Sequence, residues 1–159
     1  RKYLVQACSP ITGMSAEYAE FDGSPMSRKL GWSNDRHDWF YSDSYRTAAN
    51  IGLDYEWFGI DEGQCAAVDR LQEFLLEDAR RNQFHTYEIN GTVAQSGVLH
   101  PVAIIATVAQ GSLAANNPFT NEWIERFWNT PMRTGVRRYY DNCLYFFAFL
   151  ALSGKYRMW

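Results

Sequence analysis

Phe40-Tyr41-Ser42-Asp43-Ser44-Tyr45-Arg46-Thr47-Ala48-Ala49-Asn50-Ile51-Gly52-Leu53-Asp54-Tyr55-Glu56-Trp57-Phe58-Gly59 opens as a polar junction and continues as an apolar-periodic run. Ala48, Ile51, Leu53, Tyr55 and Phe58 recur at helical spacing. Ser42-Asp43-Ser44 supplies the short polar side chains that start a helix, and Gly59 supplies a stop. The passage predicts a helix fed by a long loop. That loop, residues 9–41, is punctuated by Ser9-Pro10, Gly13, Asp22-Gly23, Ser24-Pro25, Gly31 and Asn34-Asp35. Such residues mark turns, and loops this long in compact domains are often functional.

The helical pattern returns along the chain. A second helix is predicted from about Glu62 to Arg81, with Val68, Leu71, Phe74 and Leu75 on one face. Residues 84–99, with Asn90-Gly91 and Gly97 between β-prone stretches, read as a loop or small hairpin. A third helix opens at His100-Pro101, since proline suits the first helical position, and continues through Ala103, Ile104, Thr107 and Leu113. A fourth runs from about Thr120 to Trp128, and a fifth from Arg138 to Leu152, stopping at Gly154. Residues 130–137 connect these last two. Arg1 to Cys8 reads as the last turns of an amphipathic helix, without a start signal, so a fragment of a longer protein is expected. Helices of similar length joined by long loops place the chain in the all-α class, as an α-hairpin array or about half of an α/α barrel.

Composition excludes several functions. The 159 residues carry a net charge of -3 and no Lys/Arg stripe, which disfavours nucleic acid. The longest apolar stretch, Cys143 to Leu152, is too short to span a bilayer. Cys8, Cys65 and Cys143 lie far apart, as do His37, His85 and His100, so neither metal spacing nor paired thiols are present; no metal and no cofactor are expected. The odd cysteine count points towards a reducing compartment. GxSxG, P-loop, dinucleotide and HExxH patterns are all missing. Aromatic residues reach 16%; they pack cores and also form platforms for sugar rings.

The residues that suit chemistry sit at loop–helix junctions. Asp43 reads either as an N-cap or as a general base, because a helix N-terminus and Arg46 one turn on both favour a carboxylate. Asp22 reads as a turn residue. Asp38 is either a loop hydrogen-bonding residue or a substrate contact. In Tyr139-Tyr140-Asp141-Asn142, Asp141 reads as a cap of the last helix over two packed aromatics, or a tyrosine meets a sugar. His100 is structural or reaches a sugar hydroxyl over a cleft.

Phe40-Tyr41-Ser42-Asp43-Ser44-Tyr45-Arg46 with Ala48-Ala49-Asn50-Ile51-Gly52-Leu53-Asp54 resembles the catalytic-base segment of glycoside hydrolase family 8. So do Phe21-Asp22-Gly23-Ser24-Pro25, Phe127-Trp128-Asn129-Thr130-Pro131, Arg133-Thr134-Gly135, Arg137-Arg138-Tyr139-Tyr140-Asp141-Asn142-Cys143-Leu144-Tyr145 and Ala151-Leu152-Ser153-Gly154. The resemblance covers essentially the whole chain in one register. It is strongest to the members that release xylose from the reducing end of xylooligosaccharides, which carry a Leu-His-Pro loop like Leu99-His100-Pro101. It implies an (α/α)6 barrel, of which residues 1–159 are the C-terminal part of a single catalytic domain, and an inverting mechanism. It implies Asp43 as general base, Arg46 as the residue that orients it, and His100, Tyr139, Tyr140 and Tyr41 as substrate contacts, with His100 blocking the cleft beyond the leaving sugar. The family's general acid, a glutamate, lies upstream of this chain, so the N-terminal half of the barrel is the implied partner, beside a xylooligosaccharide substrate. An open half-barrel would expose Phe146, Phe147, Phe149 and Leu150. An endo-1,4-beta-xylanase and a non-catalytic xylan-binding fragment are the alternatives, and the family implies a cytoplasmic location.

Overall fold

The computed structural model describes residues 1–27, 36–59 and 62–157. Among them are helices α1 (Lys2–Ala7), α2 (Arg46–Phe58), α3 (Glu62–Arg81), α4 (Pro101–Gly111), α5 (Thr120–Asn129) and α6 (Arg138–Leu152), with short strands β1 (Trp39–Phe40), β2 (Thr86–Glu88) and β3 (Val93–Gln95). Each predicted helix is present within a few residues of its expected ends, because each carries an apolar stripe long enough to bury. Gly31 and Asn34-Asp35, read as loop punctuation, lie outside the described residues.

Helix α4 is the centre of the packing. Every residue from Ala103 to Gly111 is buried, as a helix apolar on all sides requires. It packs against α2, α3, α5 and α6. The approach of α2 is close enough to need a glycine: a Cβ at Gly52 would sit 2.3 Å from the carbonyl oxygen of Gln110. Buried side-chain amides tie the layers together. Gln110 donates to Ala49 O at 3.1 Å. Gln72 of α3 donates to Val108 O at 3.1 Å and Ser112 Oγ at 2.8 Å, and its backbone carbonyl accepts from the Trp123 indole at 3.1 Å. The core around α4 includes Phe40, Tyr45, Leu75, Ile104, Val108, Trp123 and Phe127.

The region 84–99 is a hairpin, and β1 extends it into a three-stranded antiparallel sheet of order β1-β2-β3. Asn90 accepts the Thr92 N–H at 2.8 Å, and Gly91 turns with φ +98°, so the turn is set by the expected pair. Local polar contacts hold the described parts of the long loop. Asp22 is a turn residue, accepting from the Ser24 N–H at 2.9 Å and the Ser24 hydroxyl at 2.6 Å. Asp38 takes two bonds from Arg36, at 2.7 and 2.6 Å, and Arg36 lies over the Trp39 ring at 5.1 Å. The Arg36 pairing holds the Asp38 carboxyl below the usual carboxylate range.

Helix α6 turns Leu144, Ala148 and Ala151 inward and leaves Phe146, Phe147 and Phe149 exposed. Leu150, expected on that outer face, is half-buried. Trp128 of α5 is also exposed and meets Phe149 edge-on at 5.4 Å. Among the described residues no helix is long and apolar enough to cross a membrane.

Candidate active site

The helix expected from Ser42 begins as a 3-10 turn, Ser42–Tyr45, and becomes α-helical at Arg46. Ser42 enters it with φ +41°, a left-handed conformation that crowds a Cβ and costs about 1–3 kcal/mol. Asp43 is therefore not the N-cap. It lies within the turn, and the chain before it is closed by Ser44, whose hydroxyl accepts the Tyr41 N–H at 2.8 Å. Tyr41 itself is half-buried.

With no capping duty, the Asp43 carboxylate reaches side chains from two helices. Oδ2 pairs with Arg46 at 3.0 Å, and Arg46 also donates to the Asp43 carbonyl at 3.3 Å. Oδ1 lies 3.2 Å from the Tyr140 hydroxyl, which also donates to Ser42 O at 3.0 Å. The Asp43 side chain stays 35% exposed, so water and ligand can reach it. Burial, then the negative charge of Asp43, push the Tyr140 phenol above its ordinary range and keep it a neutral donor.

Tyr140 connects this carboxylate to a buried polar group at the start of α4. Its ring centroid lies 4.4 Å from that of His100, the N-cap residue of α4. His100 is buried, and its Nδ1 meets Asp141 Oδ2 at 2.9 Å. Asp141, with 0% exposure, does not cap its own helix. Its Oδ1 accepts the Ala103 N–H at 2.8 Å, so it caps α4 instead, while α6 begins after Arg137 at φ +67°. Oδ2 also accepts from Arg133 at 2.6 Å, and the same Arg133 nitrogen donates to Leu99 O at 2.7 Å. Asn142 fixes the Arg133 backbone from both sides, at 2.9 and 3.0 Å.

Of the residues singled out from sequence, the fold gathers Asp43, Arg46, Tyr140 and His100, with Tyr41 just before the turn. It does not gather Tyr139. That ring is 82% exposed and lines a separate groove with Arg138, Asn142, Cys143, Phe146 and Phe147. In the sequence Arg133 belongs to a connection and to a segment of the family resemblance without a role of its own, and Asp141 reads as a cap of α6. Their pairing spans long sequence separations, and no periodic pattern marks it.

No family model matches the chain. Among curated proteins it is 50% identical over 159 residues to the reducing-end xylose-releasing exo-oligoxylanase Rex8A of Paenibacillus barcinonensis, covering all of this chain and 41% of that protein. It is 52% identical over 164 residues to the enzyme of the same name from Bifidobacterium adolescentis, covering 99% of this chain and 41% of that one. Rex8A complexed with xylose superposes with a TM-score of 0.92 at 48% identity, over 99% of this chain and 41% of that one. A Rex8A double mutant, with an adjacent Leu and His changed to Ala and Ser, gives 0.93 at 47% identity, over the same shares. The chain thus spans about two fifths of the length of these relatives. It carries the expected fold, the helical portion of an (α/α)6 barrel.

Proposed function

We propose that this chain is part of an inverting hydrolase of glycoside hydrolase family 8 that releases xylose from the reducing end of xylooligosaccharides, with Asp43 as general base. The observation that carries the reading is the Asp43 carboxylate. It is held at a strained loop–helix junction between Arg46 and Tyr140 and remains open to water. Half-identity to reducing-end exo-oligoxylanases over the whole chain supports the substrate class.

In an inverting reaction, a carboxylate takes a proton from water while the water oxygen bonds to the anomeric carbon. The glycosidic C–O bond breaks on the opposite face, and its oxygen takes a proton from a carboxylic acid. Asp43 serves the first role. Arg46 on one oxygen fixes the side chain's direction, and Tyr140 on the other opposes its rotation. The carboxylic acid belongs to the N-terminal part of the barrel, which packs against this chain and completes the catalytic domain. His100 closes the cleft beyond the leaving sugar and contacts its reducing-end hydroxyl; the one Leu-His pair of this chain, Leu99-His100, parallels the pair altered in the Rex8A double mutant. Tyr41, Tyr139 and Tyr140 border the substrate, Tyr139 from its own groove.

The test uses the complete protein and xylotriose labelled at its reducing end. Labelled xylose with unlabelled xylobiose is expected, and Asp43→Asn should lower kcat by about 10²–10⁴-fold, the range for a lost general base. Mixed labelled oligosaccharides would instead mean endo-cleavage, and binding without turnover would reduce the protein to a sugar-binding role.

A further inference from the structure

We propose that Asp141, secured by Arg133, is a positioning residue that fixes the tautomer of His100, so that the ring offers the leaving sugar a hydrogen-bond acceptor. The proposal rests on the reading of His100 given above. A carboxylate accepts and does not donate. Asp141 Oδ2 meets both Arg133, at 2.6 Å, and His100 Nδ1, at 2.9 Å. Its Oδ1 is taken by the Ala103 amide at 2.8 Å. Nδ1 must therefore carry the ring proton, and in the neutral ring Nε2 is left bare and accepting. Contacts on several sides hold this group in place. Asp141 is wholly buried, Asn142 holds the Arg133 backbone, and Arg133 also grips the Leu99 carbonyl one residue before His100. The Tyr140 ring lies against the imidazole.

An accepting Nε2 makes the site selective for chemistry. A free anomeric hydroxyl donates to it; a methyl glycoside has no proton to give. Replacing Asp141 by alanine removes the acceptor of Nδ1 and leaves Arg133, which only donates, on that side of the ring. The ring then shifts its proton to Nε2 and becomes a donor. The loss of a cap lowers stability wherever it occurs, but it leaves the preference between two reducing ends unchanged.

The experiment compares xylotriose with its methyl β-glycoside in the complete enzyme, alongside ¹⁵N NMR of His100. The wild type should show the Nδ1–H tautomer and favour the free sugar in kcat/KM by roughly tenfold to a hundredfold, the cost of an unpaired site group. Asp141→Ala should bring that ratio near one, chiefly through KM, and should change nothing further in a His100→Ala background. Should Asp141→Ala not fold, the ¹⁵N spectrum of wild-type His100 decides alone, through which ring nitrogen carries the proton. A wild-type Nε2–H tautomer, or a folded Asp141→Ala enzyme with its preference intact, overturns the clamp alone. Xylotriose left uncut by the wild type counts against the proposed function instead.

Discussion

Tyr140 touches both halves of the candidate site, the Asp43 carboxylate through its hydroxyl and the His100 ring through its face. Its role is decided by how its loss divides between binding and turnover. A tyrosine that aligns the base lowers kcat; one that mainly holds sugar raises KM. Tyr140→Phe keeps the ring against His100 and removes the hydroxyl. We expect kcat to fall about tenfold, the worth of a hydrogen bond to a charged group, with KM little changed. Because burial and Asp43 raise the phenol's pKa, the hydroxyl stays protonated as pH rises through about 10, where an ordinary tyrosine ionises. The alkaline limbs of the wild-type and Tyr140→Phe rate profiles should therefore coincide below that pH; a limb that disappears in the variant would show an ionising Tyr140. Asp43, Arg46, His100 and Tyr140 were legible in the sequence because each stands at a junction between a loop and an apolar-periodic run. Arg133 and Asp141 were not. Aspartate at a helix start reads as a cap of its own helix, and only the packing of α6 on α4 turns Asp141 toward Ala103 and His100.

At the scale of elements, α2 and α4 meet so closely that a backbone carbonyl fills the space a side chain would need. Alanine in place of an exposed helix glycine raises stability by roughly 0.5–1 kcal/mol. At Gly52 the sign reverses, because the new Cβ would stand 2.3 Å from Gln110 O. Relief requires α2 to move off α4 and strains the Gln110 bond to Ala49. Gly52→Ala is expected to destabilise by about 1–3 kcal/mol, the range for overpacking, read as a lower midpoint in denaturant with an unchanged slope. Equal or higher stability would mean the helices slide apart freely. The helices themselves were legible from their period, and the start of α4 from the proline after His100. The two-residue strand β1 was not, since it is too short to alternate and exists only because β2 pairs with it. The 3-10 turn was hidden for a related reason: a left-handed serine leaves no signature, where glycine or asparagine would have signalled one.

For the whole molecule, the outer face of α6 is the feature that packing among the described residues does not resolve. Phe146, Phe147 and Phe149 are exposed along one helix, and Trp128 lies beside Phe149. Scattered exposed aromatics are ordinary, but a contiguous set marks a surface that another surface covers. The chain spans about two fifths of relatives that superpose on it closely, so the cover we propose is the remainder of the same barrel, the part that also brings the carboxylic acid to Asp43. The 159 residues alone should therefore bind a hydrophobic dye and self-associate at micromolar concentration, and a separately produced N-terminal portion should suppress both. The substitutions Phe146→Ser and Phe147→Ser should reduce dye binding by the isolated chain and weaken its association with that portion. Sedimentation and dye fluorescence measured together decide the matter: a monomer that unfolds cooperatively and leaves the dye dark would show that α6 needs no cover, and the half-barrel would have to be regarded as a complete folding unit.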